Sequence, residues 1–147
     1  MGRARRAGGR RKVKTRLVDT NVILRFLTGE PENQATRAKK LFATNESGEL
    51  VLRVVPLVVA EVVFVLSGKV YGYDRREVTS ALIPFLQSPT LEVEQRDVLL
   101  LALELYRDHS IDYVDACLAA EARLAGQALA SFDADFKTIP ELTWKRP

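Results

Sequence analysis

The sequence offers little from which to build a thiolate, disulfide or histidine-based site. Its one cysteine is Cys117 and its one histidine is His109. A single cysteine closes no disulfide and supplies no thiolate cluster for zinc, so the chain must be held by its core. With 147 residues, 47% hydrophobic and 28% charged, it has the balance of one globular domain. A domain of this length buries about two-thirds of its unfolded surface. Cys117 has apolar neighbours and reads as a core residue in a reducing compartment. His109, between Asp108 and Ser110, reads as a surface loop residue rather than a general base. Long apolar runs are missing too. The longest, Val54–Leu66, contains Glu61 and falls short of the ~20 residues that cross a bilayer. The basic N-terminus lacks the apolar stretch of a secretory signal. No membrane contact is expected, and the expected location is cytoplasmic.

The formal net charge of +3 conceals an asymmetry. Residues 1–16 hold eight Arg or Lys and no acid, which leaves 14 basic residues against 19 acidic ones in the rest, a net of −5. Residues 1–14 are rich in Arg and Gly without apolar periodicity, and such a segment is expected to be disordered; residues 15–147 form the expected domain. Two readings of the extension stay open. It is an RNA-binding arm that gains affinity by counterion release, or it precedes a natural start at Val13 and is a misassigned start or expression remnant.

From Arg16 onward, strand-like and helix-like segments alternate, the pattern of a parallel α/β sheet. Strands are expected at Arg16–Asp19, Leu50–Val55, Leu91–Val93, Ala128–Ser131 and Leu142–Trp144. Helices are expected over Val22–Leu27, Glu32–Ala43, Leu57–Leu66, Asp74–Leu86 and Asp97–Arg107, with a last one from Asp112 to Gly126. The valines of Leu57–Leu66 favour a strand by propensity, but a parallel sheet needs a crossover there. Asp74 and Asp112 are placed to cap helices, and Gly126 suits a left-handed helix end.

Four acids stand out. Glu61 sits among Leu57, Val58, Phe64 and Val65 at helical spacing, with no polar stripe to carry it to water. A buried lone carboxylate is costly, so it must be neutral, paired, or in a cleft with a cation; the alternative is an edge-exposed glutamate. Asp19, Asp115 and Asp133 fall where strands hand over to helices, the edge at which open parallel sheets collect ligands. Each of these three also has a structural account, as a helix cap, a first-turn acid or a turn residue. Carboxylates gathered at one point repel each other unless a divalent ion neutralises them, and an all-oxygen site suits Mg2+ or Mn2+.

These segments resemble the PIN-domain family, specifically the VapC-type toxins of bacterial toxin–antitoxin pairs. The resemblance is carried by Leu17-Val18-Asp19-Thr20-Asn21-Val22, by Val59-Ala60-Glu61-Val62, by Asp115-Ala116 before an Ala-rich helix, and by Ser131-Phe132-Asp133-Ala134-Asp135-Phe136. The last has Ser where the family has Thr. It covers about Arg16 to Trp144. It implies a three-layer α/β/α fold around a central parallel sheet. It also implies that Asp19, Glu61, Asp115 and Asp133 bind Mg2+ or Mn2+ and catalyse RNA cleavage by water attack, leaving a 5′-phosphate and a 3′-hydroxyl. Asn21, Asp112, Ser131 and Asp135 become supporting groups, with Asp115 preferred over Asp112 as ligand. The implied partners are RNA of the translation machinery, an antitoxin protein and a second copy of the chain. Arg25 is the basic residue nearest the site in sequence and the first candidate for RNA contact; Arg75 and Arg76 are others, as are Lys39 and Lys40, which read more readily as a solvated helix face.

Competing readings are weaker. A haloacid-dehalogenase-type phosphatase needs a second Asp two residues after the first, and Asn21 stands there. A non-catalytic RNA-binding module leaves four acids unexplained, since acids repel RNA without metal. A housekeeping RNA-processing nuclease of the same family remains an alternative to the toxin.

Overall fold

The computed structural model describes residues 13–147. The expectations for the basic extension therefore lie outside the described residues, except at its end. There Lys14 belongs to the first strand, β1 (Lys14–Leu17), rather than to a disordered tail. After β1 come α1 (Thr20–Thr28), α2 (Glu32–Glu46), β2 (Leu50–Val54), α3 (Pro56–Leu66), α4 (Arg75–Leu86) and β3 (Leu91–Val93). The chain continues through α5 (Arg96–Asp108), α6 (Tyr113–Ala125), β4 (Leu129–Ala130), a 3-10 turn (Ala134–Thr138) and β5 (Trp144–Lys145).

All strand pairs are parallel. β1, β2 and β3 form one sheet in that order, with Leu17 opposite Arg53 and Val54 opposite Val93. β4 pairs with β5 in a second, two-stranded sheet. The α/β architecture is thus the expected one, but its parallel strands are divided between two sheets. β4 holds only two residues, and its ladder is spent on β5, where Ser131 N–H donates to the Lys145 carbonyl at 3.0 Å.

β2 buries Leu50, Leu52 and Val54 and half-buries the residues between them, as a strand covered on both faces does. Val59, Val62, Val63 and Leu66 of α3 and Val78, Leu82 and Leu86 of α4 complete the core with Leu99 and Leu103 of α5. Pro56 takes the first position of α3, where its missing N–H costs nothing. So the valine-rich segment is a helix despite its propensity. Asp74 caps α4 in a capping box with Glu77. Buried Asn45 ties α2 to the strands by donating from Nδ2 to the Leu50 and Thr90 carbonyls at 2.9 and 3.0 Å. Cys117 is half-buried against the core, and burial pushes its thiol up, which keeps it protonated and unreactive. Among the described residues no helix is long and apolar enough to cross a membrane.

Candidate active site

β1 hands over to α1 at Asp19, which is extended at the helix N-cap and accepts the Thr20 N–H on Oδ1 at 2.8 Å. Thr20 is buried. Its hydroxyl donates to Glu61 Oε1 at 2.6 Å, so a single threonine links the β1–α1 corner to α3. Glu61 itself is exposed, as in the edge-exposed alternative and not as a carboxylate buried among the valines. The reason lies in its own helix. Leu57 and Phe64, four before and three after Glu61, are 79% and 78% exposed. α3 therefore carries an outward stripe that hydropathy alone hides.

The other acids gather around the start of α6. Asp112 is the N-cap residue yet makes no side-chain cap hydrogen bond, and Asp115 lies half-buried in the first turn. The Asp115 carboxyl is held above the usual carboxylate range, first by burial and then by the charges of Asp112, Asp133 and Asp135. The last two arrive from the far side of β4. Ser131 Oγ accepts the Asp133 N–H at 3.0 Å, and Asp133 Oδ1 accepts the Asp135 N–H at 2.9 Å. Trp144 Nε1 pins this corner by donating to the Ser131 carbonyl at 2.9 Å.

Thr20 thus links Asp19 to Glu61, and Asp115 feels the charges of Asp112, Asp133 and Asp135. Among the described residues no three metal-ligating side chains stand close enough together to hold an ion as they are. The donor chemistry nevertheless fits a hard divalent cation. Every candidate ligand is a carboxylate oxygen, and the upward push on Asp115 by its neighbours is like-charge crowding that a cation relieves.

Among the supporting candidates, Ser131 and Asp135 contact Asp133 directly. Asn21 is exposed and lines a cleft between α1 and α2; the group that bonds Glu61 is its neighbour Thr20. Sequence reasoning passed over Thr20, and the available signal was a hydroxyl on the first helical residue beside the Asp19 cap. Arg25 lines the same cleft. Arg75 is anchored to the fold: one terminal nitrogen donates to the carbonyls of Tyr106, His109 and Ile111 at 2.6, 3.0 and 2.7 Å. Its guanidinium also lies 4.4 Å from the Tyr106 ring centroid.

The PIN domain family profile matches residues 16–142, from β1 past the Asp133 corner. The chain belongs to the PIN domain family. It is 25% identical over 125 residues to VapC ribonuclease of Aquifex aeolicus (strain VF5), a match covering 84% of this chain and 91% of the relative. Among solved structures it is similar to VapBC2 from Rickettsia felis bound to a DNA fragment from their promoter. That likeness has 20% identity, covers 90% of this chain and 98% of that one, and has a TM-score of 0.37.

Proposed function

We propose that this PIN domain is a divalent-metal-dependent endoribonuclease of the VapC toxin type. The observation that supports the reading is the placement of Asp19, Asp115 and Asp133 at or in the first turns of helices that follow β1, the α5–α6 connection and β4, in a chain whose family match spans these acids and Glu61. Similarity to a VapC ribonuclease over most of both chains supports the RNA substrate. Asp19, Glu61, Asp115 and Asp133 would hold Mg2+ or Mn2+.

Each side of the site prepares its ligands alike. Asp19 Oδ1 is engaged by Thr20 N–H, which leaves Oδ2 for a cation; Glu61 Oε1 is engaged by the Thr20 hydroxyl, which leaves Oε2. Asp133 Oδ1 is engaged by Asp135 N–H, which leaves its other oxygen. One anchored oxygen fixes each rotamer, so little side-chain freedom is lost when the second is used. The bound ion would supply a Lewis acid that acidifies water and screens charge building on the phosphate. Water oxygen then bonds to phosphorus as the bond from phosphorus to the 3′-oxygen breaks, giving a 5′-phosphate and a 3′-hydroxyl.

A toxin of this type also needs restraint. Phe64 and Val114, 78% and 63% exposed, flank a cavity of about 460 Å³ that reaches Tyr113 and Asp112. Exposed apolar surface of this kind supports a protein partner, here a cognate antitoxin and a second copy of the chain. The test is incubation of the purified protein with total RNA in Mn2+ or in chelator, beside Asp19→Asn. Cleavage with 5′-phosphate ends, lost in chelator and in the variant, is expected; equal cleavage under all conditions would refute the proposal.

A further inference from the structure

We propose that the cleft between α1 and α2 is a nucleotide subsite, where Arg25 and Arg37 hold a phosphate of the RNA strand beside the one attacked. The proposal rests on the ribonuclease reading above and adds residues to it. The cleft encloses about 360 Å³. α1 lends it Asn21, Val22 and Arg25, while α2 lends it Gln34, Arg37 and Leu41. Arg25 lies four residues after Asn21 and three after Val22, and Gln34, Arg37 and Leu41 follow at spacings of three and four, so each set shares one face.

Its charge is what distinguishes it. Beyond residue 16 the chain carries 19 acids against 14 basic residues, yet the lining has two guanidiniums and no carboxylate. No described carboxylate pairs with either arginine. Arg25 is half-buried, and its Nε donates to Gln34 Oε1 at 2.6 Å. That bond orients the guanidinium and leaves its terminal nitrogens for an acceptor, the forked geometry that suits phosphate. Val22 and Leu41, both half-buried, give an apolar wall for a ribose or base, and Asn21 offers its amide to a base edge.

The cleft is also tied to the acids. Asn21 directly follows Thr20, the residue that holds Glu61. Arg25 lies six residues beyond Asp19, about 9 Å along the helix axis at ~1.5 Å per residue. A strand seated on the arginines would therefore pass within a few nucleotides of Asp19. Lys39 and Lys40 share α2 with Arg37, but they are exposed and do not line the cleft, so they report what charge alone contributes.

The test is steady-state cleavage in Mn2+ of a labelled oligoribonucleotide spanning a site that the protein cuts in total RNA, measured across salt concentrations. Arg25→Ala and Arg37→Ala are each expected to raise KM about tenfold with kcat within about twofold. Each should also flatten the slope of log kcat/KM against log salt by about 0.7, the increment for one single-strand phosphate contact. Arg37→Lys keeps the slope while losing part of the affinity, and Lys40→Ala stays within about twofold of wild type. Arginine variants no different from Lys40→Ala would overturn the subsite alone. So would arginine variants that cut RNA normally but no longer bind a protein encoded beside this chain, since the cleft would then belong to that partner. A wild type that cuts no RNA overturns the nuclease reading and this one together.

Discussion

Thr20 and Glu61 set the chemistry of one side of the site with a single hydrogen bond of 2.6 Å. A glutamine at position 61 keeps a carbonyl oxygen for the Thr20 hydroxyl and removes one negative charge. Without divalent ions, Glu61→Gln is therefore expected to keep the fold and to melt close to the wild-type temperature. It should also lose most of the stabilisation that Mn2+ gives by binding the native state. Thermal melts with and without Mn2+ read both effects, and a lower melting temperature in chelator with undiminished Mn2+ stabilisation would reject the ligand role. Asp115 predicts a pH dependence. Its folded-state carboxyl titrates above its ordinary value because of burial and of Asp112, Asp133 and Asp135. Between the unfolded and folded values the native state binds the extra proton, so metal-free stability rises as pH falls through that window. Denaturant melts across this range should show the gain in wild type and a weaker one in Asp115→Asn; identical profiles would remove Asp115 from the crowded cluster. At this scale the sequence was informative about chemistry and misleading about environment. Glu61 was conspicuous among valines, but Leu57 and Phe64 are exposed with it, and no hydropathy pattern separates an outward apolar stripe from a buried one.

Between elements, arginines do the fastening. Arg75 joins the first turn of α4 to the α5–α6 connection through three carbonyls and the Tyr106 ring. Arg96 ties the start of α5 to the Leu86, Ser88 and Leu91 carbonyls at 2.8, 2.9 and 2.7 Å. Removing the Arg75 side chain strands carbonyls in a partly buried loop and loses charge-assisted bonds, each worth roughly 1.5–3 kcal/mol. Arg75→Ala is expected to destabilise by about 2–4 kcal/mol and to leave the salt dependence of RNA binding unchanged. Chemical denaturation and a salt titration check the two parts, and a flattened salt slope would restore Arg75 to the RNA surface. Most elements were legible because their signals are local: the Asp74 cap with Glu77, Pro56 at a helix start, Gly126 in the left-handed region at the end of α6. The division of β4 and β5 into a separate sheet was not legible, because strands of two residues leave no periodicity and their pairing is a long-range choice. The Arg75 clamp was equally invisible, since its acceptors are backbone carbonyls more than 30 residues away.

Across the whole molecule, β1 and α3 present Asp19 and Glu61, while α6 and the β4 corner present Asp115 and Asp133. The proposed function requires these two sides to serve one cation. The most direct measurement is calorimetric titration of Mn2+ into wild type, Asp19→Asn, Glu61→Gln, Asp115→Asn and Asp133→Asn, all without RNA. If the four carboxylates ligate a shared ion, every single substitution weakens Mn2+ binding by about tenfold or more, a loss of at least ~1.4 kcal/mol. If Asp115→Asn and Asp133→Asn weaken binding while Asp19→Asn and Glu61→Gln leave it at the wild-type value, the two sides do not form one metal site, and the account is contradicted.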